Sequence, residues 1–451
     1  MIDFKELVKK YYKEAYDSLI KDCSINSIYD KNTITNEHPY GKGVADCFAF
    51  LKELALKDGF KVDECDGHCL EIECGEGEKL IYILAHQDVV PVEGQAWDSD
   101  PFIPTLKDNK LYARGTSDDK GPGIASYYAL KALKDAGLIK NFRVRLVFGG
   151  DEERGSSCLE YYFHGLKKED PTYGFTPDGD FPLIYGEKGI ANYFYEGHKE
   201  FDEIEYIKAG IVLNTVIDKV EVKVKHPELL ESYLNKENIK FEKKDSNTII
   251  FVGKSAHGST PELGINAGTI MLLSLGKVYN IPEFTLLGNE YNEVHGKNMN
   301  VYYDTPNLHS TTYNVGLINY ENGFFKMGVN FRYPEIVNVD EVISKIQECS
   351  PFPIIYDKDK VSKCLYFDPE TPFIKVLADV YVKETGDIKN KPMTIGGGTY
   401  AKEAKNTIAF GSCFPGKIDH IHEENEKIDL EDFYNSISIY AHAIYCLGNL
   451  D

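Results

Sequence analysis

The stretch LIYILAHQDVVP, residues 80–91, decides how this chain is read. Six largely apolar residues run straight into His86, with Asp88 two positions further on. A short apolar run closed by polar punctuation reads as a strand buried in a parallel sheet. In open α/β sheets, ligands gather beyond the carboxyl ends of such strands. Side chains alternate along a strand, so His86 and Asp88 can face the same way. A carboxylate so placed accepts the second imidazole N–H, fixes the tautomer and makes the other nitrogen a better metal ligand. Alone, a His-x-Asp more often marks a histidine that merely satisfies a hydrogen bond. The rest of the chain shifts that balance.

The chain has 451 residues, 42% apolar and 27% charged, as expected of a folded protein with two or three domains. With 50 Lys and Arg against 72 Asp and Glu, the net charge of −22 disfavours nucleic acid and anionic lipid as partners. The N-terminal MIDFKELVKKYYKEAYDSLI is charged and amphipathic, without the apolar centre of a signal peptide. No run of 18 apolar residues occurs, so a cytoplasmic protein without a membrane span is expected. Its ten cysteines are then expected as reduced thiols. Cys65, Cys69 and Cys74 cluster with His68, but C-x3-C-x4-C matches no zinc pattern.

Outward from the central strand, amphipathic helices are expected over 3–22 and 43–58, short strands over 60–65 and 68–74, and a long polar loop over 91–112. ARGTSDDKGPG then places Asp118 and Asp119 in a loop that feeds a helix running from Gly123 to the stop at Gly137. A capping acid would explain either aspartate by itself. The strand FRVRLVFGG, 142–150, is followed at once by Asp151, Glu152 and Glu153. Adjacent carboxylates beside a buried strand are costly without a cation. Asp178 follows another apolar, turn-rich stretch. Residues 186–365 differ in texture: short strands at 190–195 and 248–252, a helix at 266–279, the hairpin TTYNVGLINY-ENG-FFKMGVNFRY and a helix at 339–349 suggest an α+β sandwich enlarged by a subdomain. After Thr371-Pro372 the helical texture returns. GGGTYA, the strand TIAFGS, the loop FPGKIDHIHEENE and a closing helix at 428–447 follow.

His86, Asp118, Glu152, Glu153, Asp178 and either His420 or His422 therefore fall at strand ends or in glycine-rich loops. Imidazole mixed with carboxylate suits Zn²⁺, Co²⁺ or Mn²⁺. One bridging carboxylate, with one histidine and one terminal carboxylate per ion, makes a two-metal site with ions about 3.5–4 Å apart. An acid left over is then free to act as a base.

In their order, HQDVVP, RGTSDDKGP, DEERG, TPDGDFP, GKSAHGSTPELGINA, GGGTYA and DHIHEENE resemble the M20 di-zinc metallopeptidases, most closely the PepV-like dipeptidase branch. The resemblance spans residues 86–426. It implies an α/β catalytic domain with a central mixed, mostly parallel sheet flanked by helices, built discontinuously from 1–185 and 366–451, with 186–365 inserted as an α+β lid. It also implies two Zn²⁺ ions, with Co²⁺ or Mn²⁺ as substitutes. His86, Asp118, Glu153, Asp178 and His422 would be their ligands. Asp118 would bridge, joined to Asp119 by a cis peptide, and Asp88 would hold the His86 ring. His422 is preferred to His420 because the motif sets the ligand just before the acidic xNE stretch. Glu152 would be the general base that activates a metal-bridging water. His257 would donate to the oxyanion from the lid, and Arg332 would clamp the substrate carboxylate. Asn214, Gly397, Gly398 and Thr399 would add substrate contacts. Hinge closure would unite the lid groups with the metals. The activity implied is hydrolysis of unblocked dipeptides, with Xaa-His or β-alanyl peptides as candidates; the alternative is an N-acyl amino-acid deacylase or carboxypeptidase. The enlarged lid implies a monomer whose only partner is a small peptide.

Overall fold

The computed structural model describes residues 2–450. The chain divides into two compact units. The first comprises residues up to 185, 367–393 and 399 onward, and the second 186–366 with 394–398. The sequence reading placed 394–398 with the catalytic segments. Their hydrogen bonds explain the difference: the Ile395 carbonyl accepts from Lys188 N, the Gly396 carbonyl from Arg332 Nη1, and Thr394 Oγ1 donates to the Asn307 carbonyl.

The first unit is built on a mixed sheet. Its middle is parallel: Phe142–Gly149, Lys79–His86, Tyr173–Thr176 and Thr407–Ala409 lie side by side. Cys69–Gly75 and Lys61–Asp63 extend one edge antiparallel, and Ile184 pairs antiparallel with Ala409 at the other. The apolar run ahead of His86 is wholly buried, as a strand covered on both faces requires. Helices Lys120–Asp135 and Leu430–Gly448 pack against each other and against the Lys79–His86 strand. Leu130, Leu133, Ile437 and Ile444 lie with Ile81 and Ile83 in one core.

Two expectations for this unit are corrected. The N-terminal helix is two, Phe4–Lys9 and Tyr12–Cys23. Between them Tyr11 is buried and its hydroxyl donates to Asp135 at 2.7 Å, so a tertiary anchor interrupts the periodicity. The long polar loop over 91–112 contains a hairpin, Thr105–Lys107 with Lys110–Tyr112, turned by Asp108 and Asn109 at φ +50° and +60°. Two consecutive positive-φ residues of this type form the tight turn that suits strand twist. Lys427–Asp429 adds a third, antiparallel strand to that hairpin.

The second unit carries an eight-stranded sheet, in the order Phe241–Lys243, Thr248–Val252, Lys219–Val224, Ile204–Ala209, Thr312–Glu321, Phe324–Tyr333, Gly189–His198 and Ile354–Tyr356. Its neighbouring strands pair antiparallel throughout. Its core joins Val220, Val222 and Phe325 to Met271, Leu275, Phe284 and Leu287 of two helices, Ala267–Val278 and Pro282–Tyr291. The second of these, and Pro227–Lys236, are absent from the sequence reading; both begin on a proline, the residue preorganised for the first helical position. Among the described residues no helix is long and apolar enough to cross a membrane.

Candidate metal centre

The parallel middle of the sheet sets the site. His86 ends its strand in register with Gly149, so the turn that follows Phe142–Gly149 emerges beside it. A Cβ on Gly149 would overlap the Tyr400 hydroxyl, so only glycine lets the chain pass here. Glu152 and Glu153 open a single 3₁₀ turn that starts three residues beyond Gly149. Asp178 lies just past Tyr173–Thr176, on the other side of the His86 strand. Asp118 precedes the Lys120–Asp135 helix, and its peptide bond to Asp119 is cis.

These side chains converge. His86 Nε2 lies 2.9 Å from Asp118 Oδ1 and 3.9 Å from Asp178 Oδ2. His422 Nε2 lies 2.9 Å from Asp118 Oδ2 and 3.1 Å from Glu153 Oε1. Asp118 thus faces one imidazole with each oxygen. Ligand atoms of His86, Glu152 and Asp178, and again of His86, Asp118 and Glu153, all fall within 4.8 Å of one another. His420 instead sets its Nδ1 3.0 Å from Glu423.

The electrostatics show what the cluster lacks. Burial, then Asp178, pushes Glu152 well above the usual carboxylate range. Burial, then Asp118, pushes Glu153 and Asp178 up to about 7. Burial also works against charge on Asp118, His86 and His422, but their mutual hydrogen bonds win: Asp118 falls and both histidines rise. Among the described residues no Lys or Arg pairs with Asp118, Glu152, Glu153 or Asp178. Four carboxylates sharing two imidazoles are short of positive charge. A mixed oxygen and nitrogen donor set of this kind fits divalent zinc, cobalt or manganese.

Asp88 does more than hold a ring. His86 Nδ1 lies 3.0 Å from the Asp88 backbone carbonyl and 3.4 Å from its carboxylate. The carboxylate oxygens accept from Glu152 N at 3.0 Å and Glu153 N at 3.1 Å. One buried aspartate therefore orients both the imidazole and the acidic turn. The sequence reading did not single out Glu426 or Arg114, which pair at 2.7 Å in the interior. The signal was available: one lies in DHIHEENE, the other in ARGTSDD. The Cys65, Cys69 and Cys74 thiols are buried, and among the described residues no disulfide joins any of the cysteines.

The remaining candidates, Thr399 excepted, lie in the second unit. His257 Nδ1 lies 2.7 Å from Ser259 Oγ, and the Asn214 carbonyl accepts from Gly258 N at 2.6 Å. A Cβ on Gly258 would sit 2.9 Å from the Asn214 backbone, and one on Gly396 would sit 2.7 Å from Ser259 Cβ. The 257–259 loop thus packs closely against both. Arg332 is 4% exposed; Nε donates to Asn330 Oδ1 at 2.7 Å and Nη1 to the Gly396 carbonyl at 2.9 Å. Burial lowers its pKa to about 10, and no carboxylate pairs with it among the described residues. Gly397 and Gly398 belong to this unit, whereas Thr399 begins the next segment of the first, accepting from Ala401 N at 3.1 Å.

A sheet end that concentrates imidazoles and carboxylates is suited to divalent cations, and comparison with known proteins gives the class. Residues 82–445 match the peptidase family M20/M25/M40, so the chain belongs to that family and is a metallopeptidase. A Staphylococcus haemolyticus protein bearing the name "putative dipeptidase" is 36% identical over 470 residues, covering 98% of this chain and 99% of the relative. Among solved structures, human carnosine dipeptidase 1 aligns with TM-score 0.61 at 14% identity, covering 99% of this chain and 98% of that one. An M20 family metallo-carboxypeptidase of Sulfolobus solfataricus aligns with TM-score 0.60 at 18% identity, covering 97% and 100%. At these identities the two structures show the shared fold.

Proposed function

We propose that the protein is a dipeptidase that hydrolyses the single peptide bond of unblocked dipeptides. The observation that carries this reading is the convergence of His86, Asp118, Glu153, Asp178 and His422 around a charge deficit, with Glu152 beside them. The dipeptidase name of the 36% identical relative, aligned almost end to end, supports the substrate class. His86, Asp118 and Asp178 would hold one divalent cation, and His422, Asp118 and Glu153 a second. Such ions supply Lewis acidity, making water more acidic and the scissile carbonyl more electrophilic.

The chain's own groups do the rest. Glu152 takes the proton of the attacking water and delivers it to the leaving amine nitrogen. Asp88 holds the backbone of Glu152 and Glu153, so base and ligand stay in fixed relation. His257 donates to the oxyanion as it develops. Arg332 keeps its remaining guanidinium N–H groups for the C-terminal carboxylate of the substrate. A buried arginine without an acidic partner among the described residues is suited to an arriving anion. Asn214, Gly397, Gly398 and Thr399 would complete the contacts to the peptide.

The test is a panel of dipeptides, tripeptides and N-acetyl amino acids assayed on Zn²⁺- or Co²⁺-reconstituted wild type and Glu152→Gln. Turnover of dipeptides alone, abolished by chelation and lowered about 10²–10⁴-fold in a metal-replete Glu152→Gln, is expected. Turnover restricted to N-acetyl amino acids would replace the reading with a deacylase. Wild-type rates in the variant would remove Glu152 as the base.

A further inference from the structure

The loops that present Asp118 and His422 come from opposite ends of the chain and are tied together. Glu426 is fully buried four residues beyond His422. Its carboxylate gathers four donors: Oε2 accepts from Arg114 Nη1 at 2.7 Å and Gly115 N at 3.0 Å, and Oε1 from Ser117 N at 2.9 Å and Asp118 N at 3.2 Å. Its own backbone carbonyl accepts from Ala113 N at 3.2 Å. Arg114, 1% exposed, continues the connection: Nη2 donates to Gln95 Oε1 at 2.8 Å, and the guanidinium lies 5.1 Å from the centre of the Trp97 ring. Gln95 Nε2 in turn donates to the His422 carbonyl at 2.8 Å. Asn425 Oδ1 accepts from Asp98 N at 2.9 Å.

We propose that Glu426 is a positioning residue of the metal centre: it locks the Gly115–Asp118 backbone and, through Arg114 and Gln95, the His422 loop into one rigid piece, and so sets how Asp118 and His422 approach a shared cation. The inference rests on the reading that these two side chains ligate the same ion. Its chemistry is specific to a carboxylate. All four partners donate, so glutamine satisfies two of them and turns its amide hydrogens toward the others. Groups that orient ligands from behind in this way typically govern metal affinity by about 10- to 100-fold.

The test is titration of metal-free protein with Co²⁺, followed by its visible absorption and by the fluorescence of Trp97, the sole tryptophan. Wild type, Glu426→Gln and Gln95→Ala are compared, with dipeptide kinetics in parallel. Glu426→Gln is expected to weaken Co²⁺ binding roughly 10- to 100-fold, with kcat rising again at saturating Co²⁺ and KM for the dipeptide unchanged. Gln95→Ala, at a partly exposed position, shifts affinity the same way by a smaller factor and decides the matter if Glu426→Gln does not fold. A lower melting temperature with wild-type Co²⁺ affinity in both variants overturns the inference, since a group that only supports the core would give that result. If wild type binds Co²⁺ tightly but leaves dipeptides intact, the dipeptidase reading fails while the affinity ratio still supports the positioning role. If wild type takes up no Co²⁺, both fall.

Discussion

Replacing Asp88 by asparagine probes how the acidic turn is held. The side chain is 2% exposed, and its two oxygens each accept one amide, from Glu152 at 3.0 Å and Glu153 at 3.1 Å. Asparagine keeps the shape and the backbone carbonyl beside His86 Nδ1, but offers one side-chain acceptor instead of two. Its NH2 then faces an amide N–H. One hydrogen bond to a charged acceptor is lost, about 1.5–3 kcal/mol. At about 1.4 kcal/mol per decade this is roughly 10- to 100-fold. The loss falls on the turn carrying the proposed base and one ligand, while the His86 ring stays held by main chain. Zn²⁺ affinity from competition with a chelator and kcat on a dipeptide should therefore fall together by that factor. Both values within twofold of wild type, in a protein confirmed to be folded, would refute the reasoning.

Truncating His257 to alanine should lower kcat about 10²–10³-fold at unchanged metal content, as removal of one oxyanion donor does; loss of metal from the variant would place that histidine in another role. Arg332→Lys should raise KM by roughly tenfold with less effect on kcat, because a point charge replaces a planar fork; an unchanged KM argues against a carboxylate clamp. Glu290, 8% exposed with Oε2 lacking a hydrogen-bond partner, is raised by burial to about 7. Its folded pKa lies above its unfolded value of about 4.3, so the stabilisation it gives at low pH is lost progressively as pH rises from there through about 7, on the order of 3–4 kcal/mol. In chemical denaturation Glu290→Gln should match wild type near ~pH 4 and exceed it near ~pH 8; a gap constant across that range contradicts the assignment.

What the sequence made legible follows from how local each signal is. The apolar run into His86, and the acids directly after Phe142–Gly149, announce buried strands ending in candidate ligands, because strand period and side-chain charge are both readable in a few residues. The preference for His422 over His420 rests on the motif; the structure sets His422 beside Asp118 and Glu153 and turns His420 toward Glu423. The Asp88 contacts were read in part. Proximity to the imidazole follows from alternation, but the capping of Glu152 and Glu153 joins residues 64 and 65 positions apart, which no local pattern encodes. Glu426 stayed hidden for the same reason, its partners Arg114 and Gly115 lying 312 and 311 residues away. The Thr105–Tyr112 hairpin was missed through turn chemistry, since Asp108-Asn109 carries the positive-φ signature without a glycine. The break at Tyr11 reflects a burial and a hydroxyl contact with Asp135 that override helical periodicity.

The most direct test is X-ray anomalous scattering, recorded at the zinc absorption edge from crystals of the Zn²⁺-reconstituted protein. The account predicts two peaks flanking Asp118, one bounded by His86 and Asp178 and the other by Glu153 and His422. A map with no peak at Asp118, or with zinc held elsewhere on the chain, would contradict it.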